Sequence, residues 1–138
     1  MAATSVAFGS SQVFGSSKIK VAGIYTQPIQ QKWDARLHLA LDAAANRGDI
    51  DYSYSEKVSN TDYVRVLREY CDKGVQLIVG EAFGISKEAR KVADDYPNIA
   101  FLMGDPFKPH GNNSVSYTHL RAHETPEHLV CRLLLEKK

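Results

Sequence analysis

The chain has 138 residues, and its 17 lysine and arginine residues nearly balance its 16 aspartate and glutamate residues. No run of basic residues occurs, which argues against a nucleic-acid-binding groove, and no apolar stretch approaches the roughly 20 residues that a membrane-spanning helix needs. The length is that of one small domain.

The first segment, residues 1–17, carries no charged side chain and is rich in alanine, serine and glycine. This composition resembles the apolar and cleavage regions of a secretory signal whose basic start is missing. We therefore expect cleavage around residues 15–18 and a periplasmic or otherwise extracytoplasmic protein. The alternative is a disordered N-terminal tail.

Strands and helices are predicted to alternate after residue 17. Apolar or alternating runs indicate four strands, at residues 18–25, 49–56, 75–79 and 98–103. Helical periodicity indicates three helices, at residues 30–47, 60–73 and 86–96. Gly48 is predicted to end the first helix, and Asn60 and Ser86 to cap the other two. This order predicts an α/β fold, a parallel sheet with helices on both faces and right-handed crossovers.

The last segment, residues 115–138, is predicted to be non-native. Its runs VSYTHLRAHET and LVCRLLLEKK are what two parts of a transposase-based sequencing adapter encode in one frame, and the gap between them fits a sample index. We exclude the segment from functional interpretation, so we expect no metal site from its potential zinc ligands, which are His119, His123, Glu124, His128 and Cys131. In the natural part, residues 18–114, the fourth strand is then the last one, and we expect it to form an open or poorly covered edge.

Ligands of parallel sheets bind beyond the carboxyl ends of the strands, where the strand order switches direction. This rule selects three loops, at residues 26–33, 80–86 and 104–110. They contain no glycine-rich phosphate cradle and no convergent nucleophile, base or carboxylate pair. We therefore predict no cofactor and no enzymatic activity.

The first loop offers two aromatic rings and an amide, from Tyr25, Gln27 and Trp33. A flat heteroaromatic ligand can stack on an aromatic ring while polar groups bind its edge. Trp33 fits this role and that of a core residue on the first helix equally well.

The other two loops add a carboxylate each. Gly80 permits close backbone approach, and Glu81 follows a buried strand, where its carboxylate can accept hydrogen bonds from a purine edge or a ribose. A solvated loop acid is the alternative for Glu81. Phe83 is either a second aromatic face for the ligand or a packing residue under the third helix. Asp105 also follows a strand, although Asp-Pro is a common turn signal.

Three segments of this sequence resemble the N-terminal lobe of the basic membrane protein family, the substrate-binding proteins of bacterial ABC importers. These segments are KVAGIYTQPIQQKWDARLHLALDAA, SNTDYVRVLREYCDKGVQLIVGEAFG and ARKVADDYPNIAFLMGD. The most specific parts are the YT-P-W loop, the NTDY helix start and the VGE-FG loop. The resemblance covers residues 18–114 and implies part of one lobe of a type I periplasmic-binding-protein fold.

The resemblance implies a purine base or nucleoside as ligand, bound in a cleft between two lobes, and an ABC permease as partner. It implies that Trp33 stacks on the base, that residues 80–83 line the cleft and that Tyr25 lies at its edge. Contact with a membrane is expected only through the permease or a possible anchor. The loop from Tyr25 to Trp33 departs from the Asp-x-x-Phe-Asn pattern of known nucleoside binders, so a bare base such as adenine fits at least as well as a nucleoside.

Two alternatives from other functional classes stay open. One is a cytosolic ligand-sensing domain of a transcriptional regulator, and the other is a nucleoside-processing enzyme. Because one lobe supplies only half of a two-walled site, we expect this chain to bind weakly on its own.

Overall fold

The computed structural model describes residues 17–105, 108, 110–111 and 113–117. Five strands form one sheet: β1 (Ile19–Ile24), β2 (Ile50–Ser55), β3 (Leu77–Glu81), β4 (Ala100–Gly104) and β5 (Ser114–Tyr117). Three helices connect the first four strands: α1 (Lys32–Asn46), α2 (Asn60–Asp72) and α3 (Ser86–Asp95). The strand order is β2-β1-β3-β4-β5, and every pair is parallel. The predicted fold class is confirmed.

Two apolar layers sandwich the sheet. On one face, Leu37 and Leu41 of α1 pack with Val21 and Leu77. On the other face, α2 and α3 pack on the alternate strand residues, such as Ile78. Because the chain crosses from β2 over β1 to reach β3, the strand order switches between β1 and β3, and their carboxyl ends flank the expected ligand position.

The prediction that β4 forms an exposed edge is wrong. β5 pairs with β4 from Phe101 to Gly104, so β4 lies between two strands. β5 also begins at Ser114, and therefore the first three residues of the segment expected to be non-native lie in the sheet. The limits at residues 17 and 114 stay predictions, and the candidate zinc ligands after residue 117 lie outside the described residues.

Local capping differs from the prediction in two places. Ser59, and not Asn60, caps α2, and its hydroxyl accepts a hydrogen bond from the Asp62 amide at 3.3 Å. Ser86 begins α3 without capping it, because its hydroxyl donates to Asp105 at 2.7 Å. Gly48 does follow α1 as predicted, with φ of +87°. Within the described ranges, no helix is long and apolar enough to cross a membrane.

Candidate functional site

The three motifs that carry the family resemblance meet at the carboxyl ends of β1 and β3. Thr26 of the first motif donates its hydroxyl to Glu81 of the third at 2.8 Å. Tyr63 of the second motif donates to the Ile24 carbonyl at 3.3 Å and lies against Gly80, where a Cβ atom would overlap the Tyr63 hydroxyl. Gly80 is therefore needed for packing inside the lobe, whatever its relation to a ligand.

Two acids interact with each other at this edge. Asp34, in the first turn of α1, is fully buried, and Glu81, at the end of β3, is 9 % exposed. One Asp34 oxygen, Oδ2, accepts from the Gln27 amide at 3.3 Å, whereas Oδ1 has no hydrogen-bond donor among the described residues. The site thus presents more acceptors than donors.

Burial and the neighbouring carboxylate of Glu81 together raise the pKa of Asp34 to about 7. The Gln27 amide opposes this shift only weakly, because it stabilises the ionised form through one long hydrogen bond. Near neutral pH, a large fraction of Asp34 is therefore protonated.

Two aromatic rings at this edge face solvent. Trp33 is 45 % exposed and Phe83 is 49 % exposed. Trp33, Gln31 and Pro28 line a shallow hollow. The side chain of Gln27, just before Pro28 in the sequence, is also exposed. The exposure of Trp33 disfavours the core role that the sequence left open, and both rings are accessible to a flat ligand.

Tyr25, in contrast, is completely buried. Its ring packs in the core beneath α1, and its hydroxyl hydrogen-bonds to Tyr52 at 2.9 Å, with the Tyr52 hydroxyl also 3.1 Å from Nδ1 of His38. Gly23 makes this arrangement possible, since a Cβ atom there would lie 2.8 Å from both tyrosine hydroxyls. Burial raises the pKa of Tyr25 well above its usual range. A direct ligand role for Tyr25 stays a prediction.

Asp105 is 5 % exposed, and its hydrogen bonds connect the loop after β4 to α3. One of its oxygens accepts from Ser86 at 2.7 Å and from Arg90 at 3.1 Å, and Arg90 also donates to the Lys108 carbonyl at 2.7 Å. The ion pair positions this loop against α3. Whether Asp105 also binds a ligand stays a prediction.

Asp34 is the site residue that the sequence analysis missed. An acid in the first turn of a helix is favourable near the helix dipole, so its position alone attracts no attention. The available signal was its position directly after Trp33, in the helix that follows the first strand of a parallel sheet.

A cluster of three or more potential metal ligands does not occur in the part of the chain that the structure describes. The edge instead combines exposed aromatic faces with an acid pair, a set that suits stacking and hydrogen-bond acceptance.

Comparison with solved structures shows the same fold in two proteins. The first is a fragment from Peptoclostridium difficile 630 described as a lipoprotein, with a TM-score of 0.68 and 19 % identity over 87 % of this chain and 98 % of that one. The second is a transcriptional activator of the comK gene from Bacillus halodurans, with a TM-score of 0.57 and 22 % identity over 70 % of this chain and 33 % of that one. No curated protein matches the chain.

A family model supplies the assignment that the fold alone does not. It is described as ABC transporter substrate-binding protein, PnrA-like, and it matches residues 18–124. This match includes all five strands, the acid pair and both exposed aromatic rings. The chain belongs to this family, the Bmp family of substrate-binding proteins of ABC transporters.

Proposed function

We propose that this chain is part of the binding protein of an ABC importer, and that the intact protein binds a purine base or nucleoside between two lobes. The substrate-binding family implies a small-molecule ligand and a permease partner. An extracytoplasmic location of the intact protein is supported by the family and by the similarity to a protein described as a lipoprotein.

The observation that carries the proposal is the exposed Trp33 ring beside the buried acid pair. Trp33 lies one residue before Asp34 at the start of α1, and nearly half of its side chain is accessible. A purine has a flat face that can stack on indole and a ring edge with N–H donors for Glu81. A ligand without both features gains only part of this interaction.

Trp33 also provides the test, because it is the only tryptophan in the sequence. Adenine, hypoxanthine, adenosine, uracil and ribose are titrated into the 138-residue chain while tryptophan fluorescence is followed. We expect saturable quenching by the purines, with affinities weak enough to need millimolar ligand because one lobe encloses only one side.

Two variants separate specific binding from general quenching. Glu81→Gln should weaken purine binding by about tenfold, as expected for one charged hydrogen bond, whereas Glu88→Gln on the exposed side of α3 should leave it unchanged. Equal responses to adenine and ribose, or no effect of Glu81→Gln, would contradict the proposal.

The fold similarity to the transcriptional activator favours one second candidate, a ligand-sensing domain of a regulator. The DNA upstream of the Met1 codon distinguishes the two. A basic signal-peptide start supports the importer, and a DNA-binding module in the same reading frame supports the regulator.

A further inference from the structure

We propose that the carboxyl groups of Asp34 and Glu81 hold one proton between them, and that this proton sets the site to take an uncharged ring with hydrogen-bond donors. The inference deepens the proposed function and rests on it for the ligand. In this arrangement Asp34 is a positioning residue, since it is fully buried and acts through Glu81.

The geometry requires a donor that no described side chain supplies. The Oδ1 atom of Asp34 is buried and has no partner, and a buried acceptor left in this state costs about 1–3 kcal/mol. The charged group that raises the pKa of Asp34 is a second carboxylate, Glu81. A proton on the pair satisfies the buried oxygen and removes the repulsion between like charges in one step.

The proton resides mainly on Asp34, because Glu81 has the better environment for a charge. Glu81 accepts the Thr26 hydroxyl at 2.8 Å and is partly exposed, whereas Asp34 has only the 3.3 Å bond from Gln27. The acid nearer to solvent then remains available as an acceptor for a ligand.

In the described part of the chain, the other titratable groups near Asp34 hydrogen-bond to partners other than Asp34. Tyr25, at the end of β1, lies close enough for the Asp34 charge to raise its pKa further. His38, one turn along α1, is directed to the Tyr52 hydroxyl at 3.1 Å, and Glu56, after β2, accepts from the Ile29 amide at 2.9 Å.

Ligand binding should favour the protonated pair. A stacked ring excludes water from Glu81 and so increases the cost of a second buried charge. The ring can donate to Glu81 but cannot reach Asp34, which has no exposed surface. The pKa of Asp34 is therefore higher in the complex, and affinity for a neutral purine falls as the pH rises above about 7.

The shared proton is tested first without ligand. Infrared difference spectra of the full chain at about pH 6, where ordinary carboxyl groups are ionised, compare the chain with its Asp34→Asn variant. We expect the carbonyl stretch of one protonated carboxylic acid, absent from Asp34→Asn and retained in Asp42→Asn. In Glu81→Gln, this band should disappear at a lower pH than in the unaltered chain. Absence of the band at pH 6, or its persistence in Asp34→Asn, overturns the inference.

The expected pH dependence of ligand binding is tested by adenine titration between about pH 6 and pH 8.5, followed by the fluorescence of Trp33. We expect the affinity of the unaltered chain to fall by up to about tenfold per pH unit above neutrality, and that of Asp34→Asn to stay constant, because an amide keeps a donor without titrating. If adenine affinity changes with pH in the same way in the unaltered chain and in Asp34→Asn, the proposed link between the proton and ligand binding is overturned. If purines give no response at any pH, the proposed function fails, while the infrared band still decides the shared proton.

Discussion

Replacing Asp34 by asparagine should remove a pH dependence from the stability of the lobe. The pKa of Asp34 is about 7 in the folded chain and 3.8 in an ordinary aspartate. Between these values the folded state holds a proton that the unfolded state has released, so the free energy of unfolding falls as the pH rises from about 4 to about 7 and stays low above that range.

The size of the effect follows from the separation of the two pKa values. Each pH unit within the window changes the free energy of unfolding by about 1.4 kcal/mol, so the whole window corresponds to about 4 kcal/mol. Part of this shift arises from the neighbouring Glu81 carboxylate and not from burial alone, so the effect belongs to the acid pair. Between about pH 5 and pH 8, the expected loss is about 3 kcal/mol.

Asparagine lacks the titration but keeps a donor for Glu81, so the stability of Asp34→Asn relative to the unaltered chain should increase by about 2–3 kcal/mol between pH 5 and pH 8. Urea unfolding followed by circular dichroism at both pH values measures the difference. Asp42→Asn is the matched control, because Asp42 lies on the same helix but is exposed. A stability difference between Asp34→Asn and the unaltered chain that is the same at both pH values would refute the argument.

Two further substitutions test the packing that positions the site, and both are measured by urea unfolding. Gly80→Ala should cost about 2–4 kcal/mol, because the added Cβ atom overlaps the Tyr63 hydroxyl, and Tyr63→Phe in the same chain should recover part of this loss. Arg90→Met should cost about 1–3 kcal/mol by removing the guanidinium from the buried carboxylate of Asp105, while Lys91→Met on the exposed side of the same helix should have little effect. If the losses of Gly80→Ala and Tyr63→Phe simply add in the double variant, the Gly80–Tyr63 contact is contradicted. If Arg90→Met and Lys91→Met cost the same free energy of unfolding, the Arg90–Asp105 contact is contradicted.

The order of strands and helices could be predicted because each element carries its own periodicity. The apolar run before Tyr25 and the alternation in β2 are local signals, and they placed both strands to within a residue or two. The end of β3 was harder to predict from the sequence, since Glu81 belongs to the strand only through its pairing with Gly104. β5 was missed because three of its four residues lie in the segment that the sequence analysis excluded as non-native.

The site could be predicted only in part, for a related reason. An aromatic residue in the loop after the first strand and an acid at a strand end are visible from position, which directed attention to Trp33 and Glu81. The burial of Asp34 against Glu81 joins residues that are far apart in the sequence and depends on how α1 lies over the sheet. Ser86 likewise appeared to be a helix cap because its pairing with Asp105 is a tertiary contact.

The close approach at Gly23 restricts how relatives of this chain can diverge. The tyrosine hydroxyls of positions 25 and 52 occupy the space that any side chain at position 23 would need. Homologues that acquire alanine or a larger residue there should therefore have lost both hydroxyls, and the three positions should covary. Tyr52 would then be exchanged for phenylalanine or a smaller residue together with Gly23. Position 25 would need a residue smaller than phenylalanine, because the Tyr25 ring carbon Cε2 also lies 2.9 Å from the same Cβ position.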